Sequence, residues 1–199
     1  MNPTGLCHVF LTSRARVLTT ALHPKGDDLA MEYEVNGLPL HVLLVHFMVV
    51  GVPLAALLTV LSAVWPAARR RLGIITPLVA LGVLILTPVA VEAGEWLAAR
   101  LHPTPLITAH MDLGSTMIWF SSALFLAALL AWGVPTMMAR RSGGGPPWVG
   151  VVVAIVAVVV AGAALFQVYR VGDSGSKAVW TGNFCQVPVD AQGLCPATG

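Results

Sequence analysis

The chain has 199 residues, of which 57% are hydrophobic and only 10% charged, with a mean hydropathy of +0.82. An ordinary water-soluble domain of this length needs far more polar surface, so that class is excluded. The net charge of +2 decides little, but the placement of the charges decides more.

Residues 1–35 form a polar arm that reads as poorly ordered. Cys7 follows "TGL" with no apolar segment before it, so neither a lipid anchor nor a cleavable signal peptide is read there. Asn36, Gly37 and Pro39 punctuate the entry to a first helix over about 39–65. The segment "PAARRRLG", with Arg69, Arg70 and Arg71, leads to a second helix over 73–98. A loop carrying only Arg100 and His102 leads to a third, over 105–134. The linker "MMARRSGGGPP", with Arg140 and Arg141, leads to a fourth, over 147–171, and a tail covers 173–199. Each apolar run reaches or nears the roughly 20 residues that cross a hydrocarbon core about 30 Å thick. No water is available there, so backbone groups must pair internally, which helices do best.

The fold expected is therefore all-α: a four-helix transmembrane bundle, multi-pass in the plasma membrane. Short arginine-rich loops stay cytoplasmic. Both arginine segments then face inward and both termini are extracytoplasmic. Trp65, Trp96, Trp132, Trp148 and Trp180 fall near helix ends, as an aromatic belt requires. In helix four, Ala154, Ala157 and Ala161 follow helical spacing and mark a packing face. Cys185 and Cys195 in the tail are either a disulfide on the oxidising side or two free thiols.

A short repeat runs through the four helices. Helix one enters with "PLHVLLVH" and helix three with "TPLITAH"; helix two leaves with "EAGEW" and helix four with "VGDSGSKAVW". Each hairpin thus supplies a histidine on its way in and an acid on its way out. Such a repeat suggests a pseudo-two-fold of two helical hairpins about the membrane normal.

The ionisable groups cluster toward the outer end: His41, His46, Glu92, Glu95, His110, Asp112, Asp173 and Lys177. Charge deep in lipid costs roughly 2.5–3.5 kcal/mol or more, so such groups turn toward one another or toward water. At about 1.5 Å per residue, His46 lies about 10 Å inward and His110 about 7 Å. Neutral imidazole is the commonest metal-binding side chain. His46 and His110 are therefore read as ligands of a haem b iron, or of a zinc or copper ion with Glu92 or Glu95 as a third ligand. His41 and His46 are five residues apart and point about 140° from each other on a helix. They do not readily share one ion. The depth argument favours His46 and leaves His41 at the interface or behind the ligands. Asp112, Asp173 and Lys177 are read as supporting groups. Pro88, four residues before Glu92, removes a helix hydrogen bond and is a candidate kink. His8 and His102 fall in loops. No phosphate loop, nucleophile elbow, paired CxxC or nucleic-acid-binding pattern occurs.

Together, "NGLPLHVLLVHF", "PAARRRLG", "EAGEWL", "AHMDLG" and "VGDSGSKAVW" resemble a family of small bacterial, chiefly actinobacterial, membrane proteins known as domain of unknown function 2231. The resemblance covers about 31–181. It implies a four-helix membrane domain with histidines at the external end, and some relatives are joined to Rieske-type iron–sulfur domains. Two departures stand out. Val42 occupies a place where the family carries proline, and Asp173 one where some relatives carry histidine.

The resulting expectation is a membrane protein with a haem b or transition-metal site, transferring electrons beside a respiratory chain or a Rieske-type partner. No catalytic residue is read, and an enzymatic role is left open. The alternative is a non-catalytic accessory subunit of a larger membrane complex, without cofactor. The lipid bilayer is the one partner in both readings. Oligomers are compatible with either, and nucleic acid with neither.

Overall fold

The computed structural model describes residues 33–140, 146–182 and Cys185. The rest of the N-terminal arm with Cys7, the centre of the glycine-rich linker, and Cys195 lie outside the described residues.

The described chain opens with an element the all-helical reading did not include. Strands β1 (Glu34–Val35) and β2 (Leu38–Pro39) pair antiparallel, Glu34 opposite Pro39 and Val35 opposite Leu38. Asn36 and Gly37 between them have φ of 53° and 78°. Two successive positive φ values make the two-residue hairpin turn whose twist matches that of the strands, and Asn-Gly is its preferred sequence. The Leu40 amide donates to the Tyr33 carbonyl at 2.7 Å, which ties the hairpin to the first helix.

Helix α1 (Leu40–Val64) ends where Trp65 turns extended and Pro66 opens the short helix α2 (Pro66–Leu72). Proline suits that first position because its missing N–H would be unpaired anyway. Gly73, at φ 50°, breaks α2 from α3 (Ile75–Ala98). Thr104 caps α4 (Pro105–Ser115), its hydroxyl accepting from the Ile107 amide at 3.2 Å. Helix α5 (Met117–Ala139) follows almost without interruption, and α6 (Pro147–Trp180) completes the fold. By length and composition, α1, α3, the α4–α5 pair and α6 are each able to cross a membrane. The protein is a multi-pass membrane protein of four apolar spans.

Three helix limits differ from the sequence reading. The third span is divided at Thr116 into α4 and α5, it runs to Ala139 instead of ending at 134, and α6 runs through to Trp180 instead of ending at 171. The residues from Asp173 to Lys177 therefore sit on a helix, not in a tail.

Side-chain size is sorted in the direction lipid demands. The buried positions are dominated by alanine, among them Ala55, Ala56, Ala80, Ala93, Ala128, Ala157, Ala161 and Ala164. Phe47, Val50, Trp119 and Phe166 point outward. Lipid tails are as apolar as leucine, so expelling water does not drive these helices together. Close backbone approach and van der Waals contact do, and small residues permit it. Helix α1 packs on α3 and α6, and α5 packs on α6 and α3. Hydroxyls within the spans are satisfied locally: Thr59 donates to the Ala55 carbonyl at 2.7 Å and Thr87 to the Val83 carbonyl at 2.8 Å. At the end carrying the arginines, Ser62 and Thr76 share a hydrogen bond of 2.8 Å between α1 and α3. Arg69 donates to the Ser62 carbonyl at 3.1 Å.

Candidate functional site: an imidazole pair at the histidine end

Four helices position the site. The hairpin and Pro39 fix the start of α1 at Leu40, so His41 falls in its first turn. The Thr104 cap and Pro105 fix the start of α4, so His110 falls in its second turn. The two rings meet with centroids 6.3 Å apart and planes inclined at 78°. The imidazole that His110 meets is therefore that of His41, not that of His46.

Each ring is held by its Nδ1. His41 Nδ1 lies 2.8 Å from the Ala90 carbonyl of α3. A carbonyl only accepts, so Nδ1 carries the proton and Nε2 keeps a lone pair. His110 Nδ1 lies 3.0 Å from the Ser174 hydroxyl of α6, and that hydroxyl donates to the Val171 carbonyl at 2.9 Å. With its proton committed to Val171, Ser174 accepts from His110. His110 is then in the same tautomer, again with a free lone pair at Nε2. In their neutral form, two imidazoles anchored in this way from different helices offer two nitrogen bases. Anchoring of the non-ligating ring nitrogen by a carbonyl or hydroxyl is the arrangement found behind metal-bound histidines.

Glycines face both rings. An ideal Cβ built on Gly94 would stand 2.9 Å from both Cε1 and Nδ1 of His41. One built on Gly175 would stand 2.9 Å from Cε1 of His110. The flanking apolar packing at this end comes from Leu44, Ala90 and Ala93, with Tyr33, Leu40 and Leu86 against them.

The remaining residues singled out in the sequence fall around the pair rather than in it. His46 is exposed, and its Nδ1 bonds back to the Val42 carbonyl of its own helix at 2.6 Å. Glu92 is exposed and accepts from the Tyr33 hydroxyl at 2.8 Å. Glu95 and Asp112 are exposed. Asp173 and Lys177 pair with each other at 2.7 Å, at a solvent-accessible spot where such a pair contributes little. Cys185 is disulfide-bonded. Among the described residues, no three His, Cys, Asp or Glu side chains come together to hold a metal ion. The expected three-ligand zinc or copper set with Glu92 or Glu95 is therefore not assembled here, because Glu92, Glu95 and His46 turn outward while His110 meets His41.

If both Nε2 atoms point at one metal atom from opposite sides, bonds of about 2.0–2.1 Å leave the ring centroids roughly 6–6.5 Å apart. The observed 6.3 Å is compatible with that arrangement. Two imidazoles without a third protein ligand suit a metal whose other positions are filled by a macrocycle, as in haem b, better than a tetrahedral ion.

Several participants carried no obvious mark in the sequence. Ser174, Gly94 and Gly175 hold the rings. Tyr33 engages Glu92, and this hydrogen bond, reinforced by the carboxylate's charge, keeps the exposed phenol protonated above its ordinary range. Gln167, buried in α6, donates to the Leu113 carbonyl at 3.2 Å and the Thr116 hydroxyl at 2.7 Å, where α4 gives way to α5. Ser174 also lines a cleft of about 260 Å³ between α4 and α6, with Arg170 and Lys177 beside Leu106 and Leu113.

No family model, curated protein or solved structure matches this chain.

Proposed function

We propose that this protein is a plasma-membrane electron carrier whose His41 and His110 would hold a haem b. The observation that carries the reading is the imidazole pair itself. The rings come from two different spans, each is anchored through Nδ1, and each retains a basic Nε2. A bound haem supplies one-electron redox chemistry. The chain's own residues orient the two rings and fix their tautomers. A single transition-metal ion held by the same two nitrogens is the variant of this reading that the same experiment separates.

In this reading the histidine end faces outward. Arg69, Arg70, Arg71 and Arg140 lie at the opposite end, as cytoplasmic loops do, and the disulfide at Cys185 suits an oxidising compartment. The two hairpins, α1 with α3 and the α4–α5 span with α6, form a pseudo-two-fold repeat in this reading. Its support is that each ring is anchored on the exiting helix of its own hairpin. Resemblance to the domain of unknown function 2231 family, some of whose members are joined to Rieske-type domains, makes a respiratory-chain iron–sulfur protein the proposed partner.

The test is replacement of single histidines. His41→Gln and His110→Gln each lose the haem absorbance, or the bound ion, while the protein still assembles. His46→Gln retains it. Loss with His46→Gln and retention with His41→Gln would refute the assignment. Absence of any cofactor in all four proteins, with assembly lost on histidine replacement, would favour the accessory-subunit alternative.

A further inference from the structure

The two histidines are seated alike, and the seats are glycines. His41 Nδ1 bonds the carbonyl of Ala90, four residues before Gly94 on α3. His110 Nδ1 bonds Ser174, which passes the hydrogen bond to Val171, four residues before Gly175 on α6. In a helix the carbonyl at one position and the Cα four residues later lie one above the other on one face. A ring that bonds the carbonyl therefore lies against the later Cα. Only glycine leaves room for it there, since a Cβ at either position would come within 2.9 Å of ring atoms. Other glycines on the same helices do no such work: nothing lies within 4 Å of a Cβ built on Gly82 of α3 or Gly162 of α6.

We infer that Gly94 and Gly175 are positioning residues for the imidazole pair, each an imidazole seat made of a missing side chain and a hydrogen-bond anchor on the same helix, the Ala90 carbonyl for His41 and the Ser174 hydroxyl for His110. The consequence for binding rests on the haem reading above; the seating itself does not. An alanine at either seat pushes the ring off its carbonyl or hydroxyl anchor. That releases the tautomer and moves the ring out of register with its counterpart. The sequence carries the device as a pattern: an acid, one residue, then the glycine, in "EAG" at Glu92–Gly94 and "DSG" at Asp173–Gly175. Both acids point away from the rings, Glu92 to Tyr33 and Asp173 to Lys177.

The experiment uses full-length, detergent-solubilised protein labelled with ¹⁵N-histidine. Ring nitrogens are read by NMR, and haemin is titrated in as the probe. In the parent protein, His41 and His110 show the Nδ1-protonated tautomer. Gly94→Ala shifts the His41 signals, Gly175→Ala shifts those of His110, and neither shifts those of His46. Gly82→Ala and Gly162→Ala shift none. Haemin affinity falls about 10–100-fold with either seat variant, the range found when groups behind metal ligands are altered, and is unchanged with the controls. If the ring signals move as stated but haemin binds none of the proteins, the seats stand and the proposed function falls. If Gly94→Ala leaves the His41 signals in place, the inference is overturned. Should Gly94→Ala fail to fold, the double variant His41→Ala/Gly94→Ala decides. Recovered folding shows that the clash was with the ring, and continued failure overturns the seat assignment.

Discussion

At the scale of single residues, direction around the helix outweighs depth. His46 lies deeper than His41, which is why a depth argument prefers it. The five-residue spacing allows only one of them to face His110, and the start of α1 at Leu40 gives that face to His41. The sequence showed that one histidine must be chosen, but the choice depends on helix phase, which the Asn-Gly hairpin and Pro39 set. The same limit hid the glycines. Each sat in a quoted motif, but its role depends on which face of α3 or α6 turns inward. Tyr33 gives a residue-scale prediction. Its phenol donates to Glu92, which raises its pKa. A group whose folded pKa lies above its unfolded value stabilises the fold fully below the unfolded pKa and ceases to do so as pH rises through the folded one. The Tyr33–Glu92 link therefore holds at neutral pH and is lost only in strongly alkaline solution. In an ultraviolet titration, one of the two tyrosines should ionise late, and Tyr33→Phe should remove that late phase. An unchanged titration after Tyr33→Phe would contradict this.

At the scale of elements, the long apolar runs were legible because lipid imposes a length and an apolarity that few other environments require. The alanine face of helix four was legible for the same reason, and Ala157 and Ala161 are indeed buried. What escaped were the places where one element interrupts or extends another. The split of the third span at Thr116 is stabilised from a distant helix by Gln167, and no local pattern reports a partner fifty residues away. The extension of α6 to Trp180 was masked because Asp173, Gly175 and Lys177 look like the start of a polar tail. On a helix, Asp173 and Lys177 are instead neighbours one turn apart. Gln167→Leu should cost about 1–2 kcal/mol, because it removes two interhelical hydrogen bonds in a medium with few substitutes. Thermal unfolding in detergent measures this. An unchanged midpoint would mean that the α4–α5 junction holds itself.

At the scale of the whole molecule, four spans of mostly small buried side chains surround one polar feature that joins both hairpins. Serine, threonine and glutamine within the spans are satisfied in pairs or by the backbone, and the carboxylates lie outside. The two imidazoles differ from them in keeping an unused base on each ring. Ionisable groups in a membrane interior are costly and are retained where they act. The account therefore treats the pair as the centre of the molecule and the rest as its support. It is tested most directly by a difference spectrum, dithionite-reduced minus air-oxidised, of the wild-type protein purified from its native membranes, with metal content measured on the same sample. The account predicts a haem b signal, or failing a macrocycle one redox-active metal ion per chain, lost in the His41→Gln and His110→Gln proteins. A flat spectrum with no stoichiometric metal would contradict it.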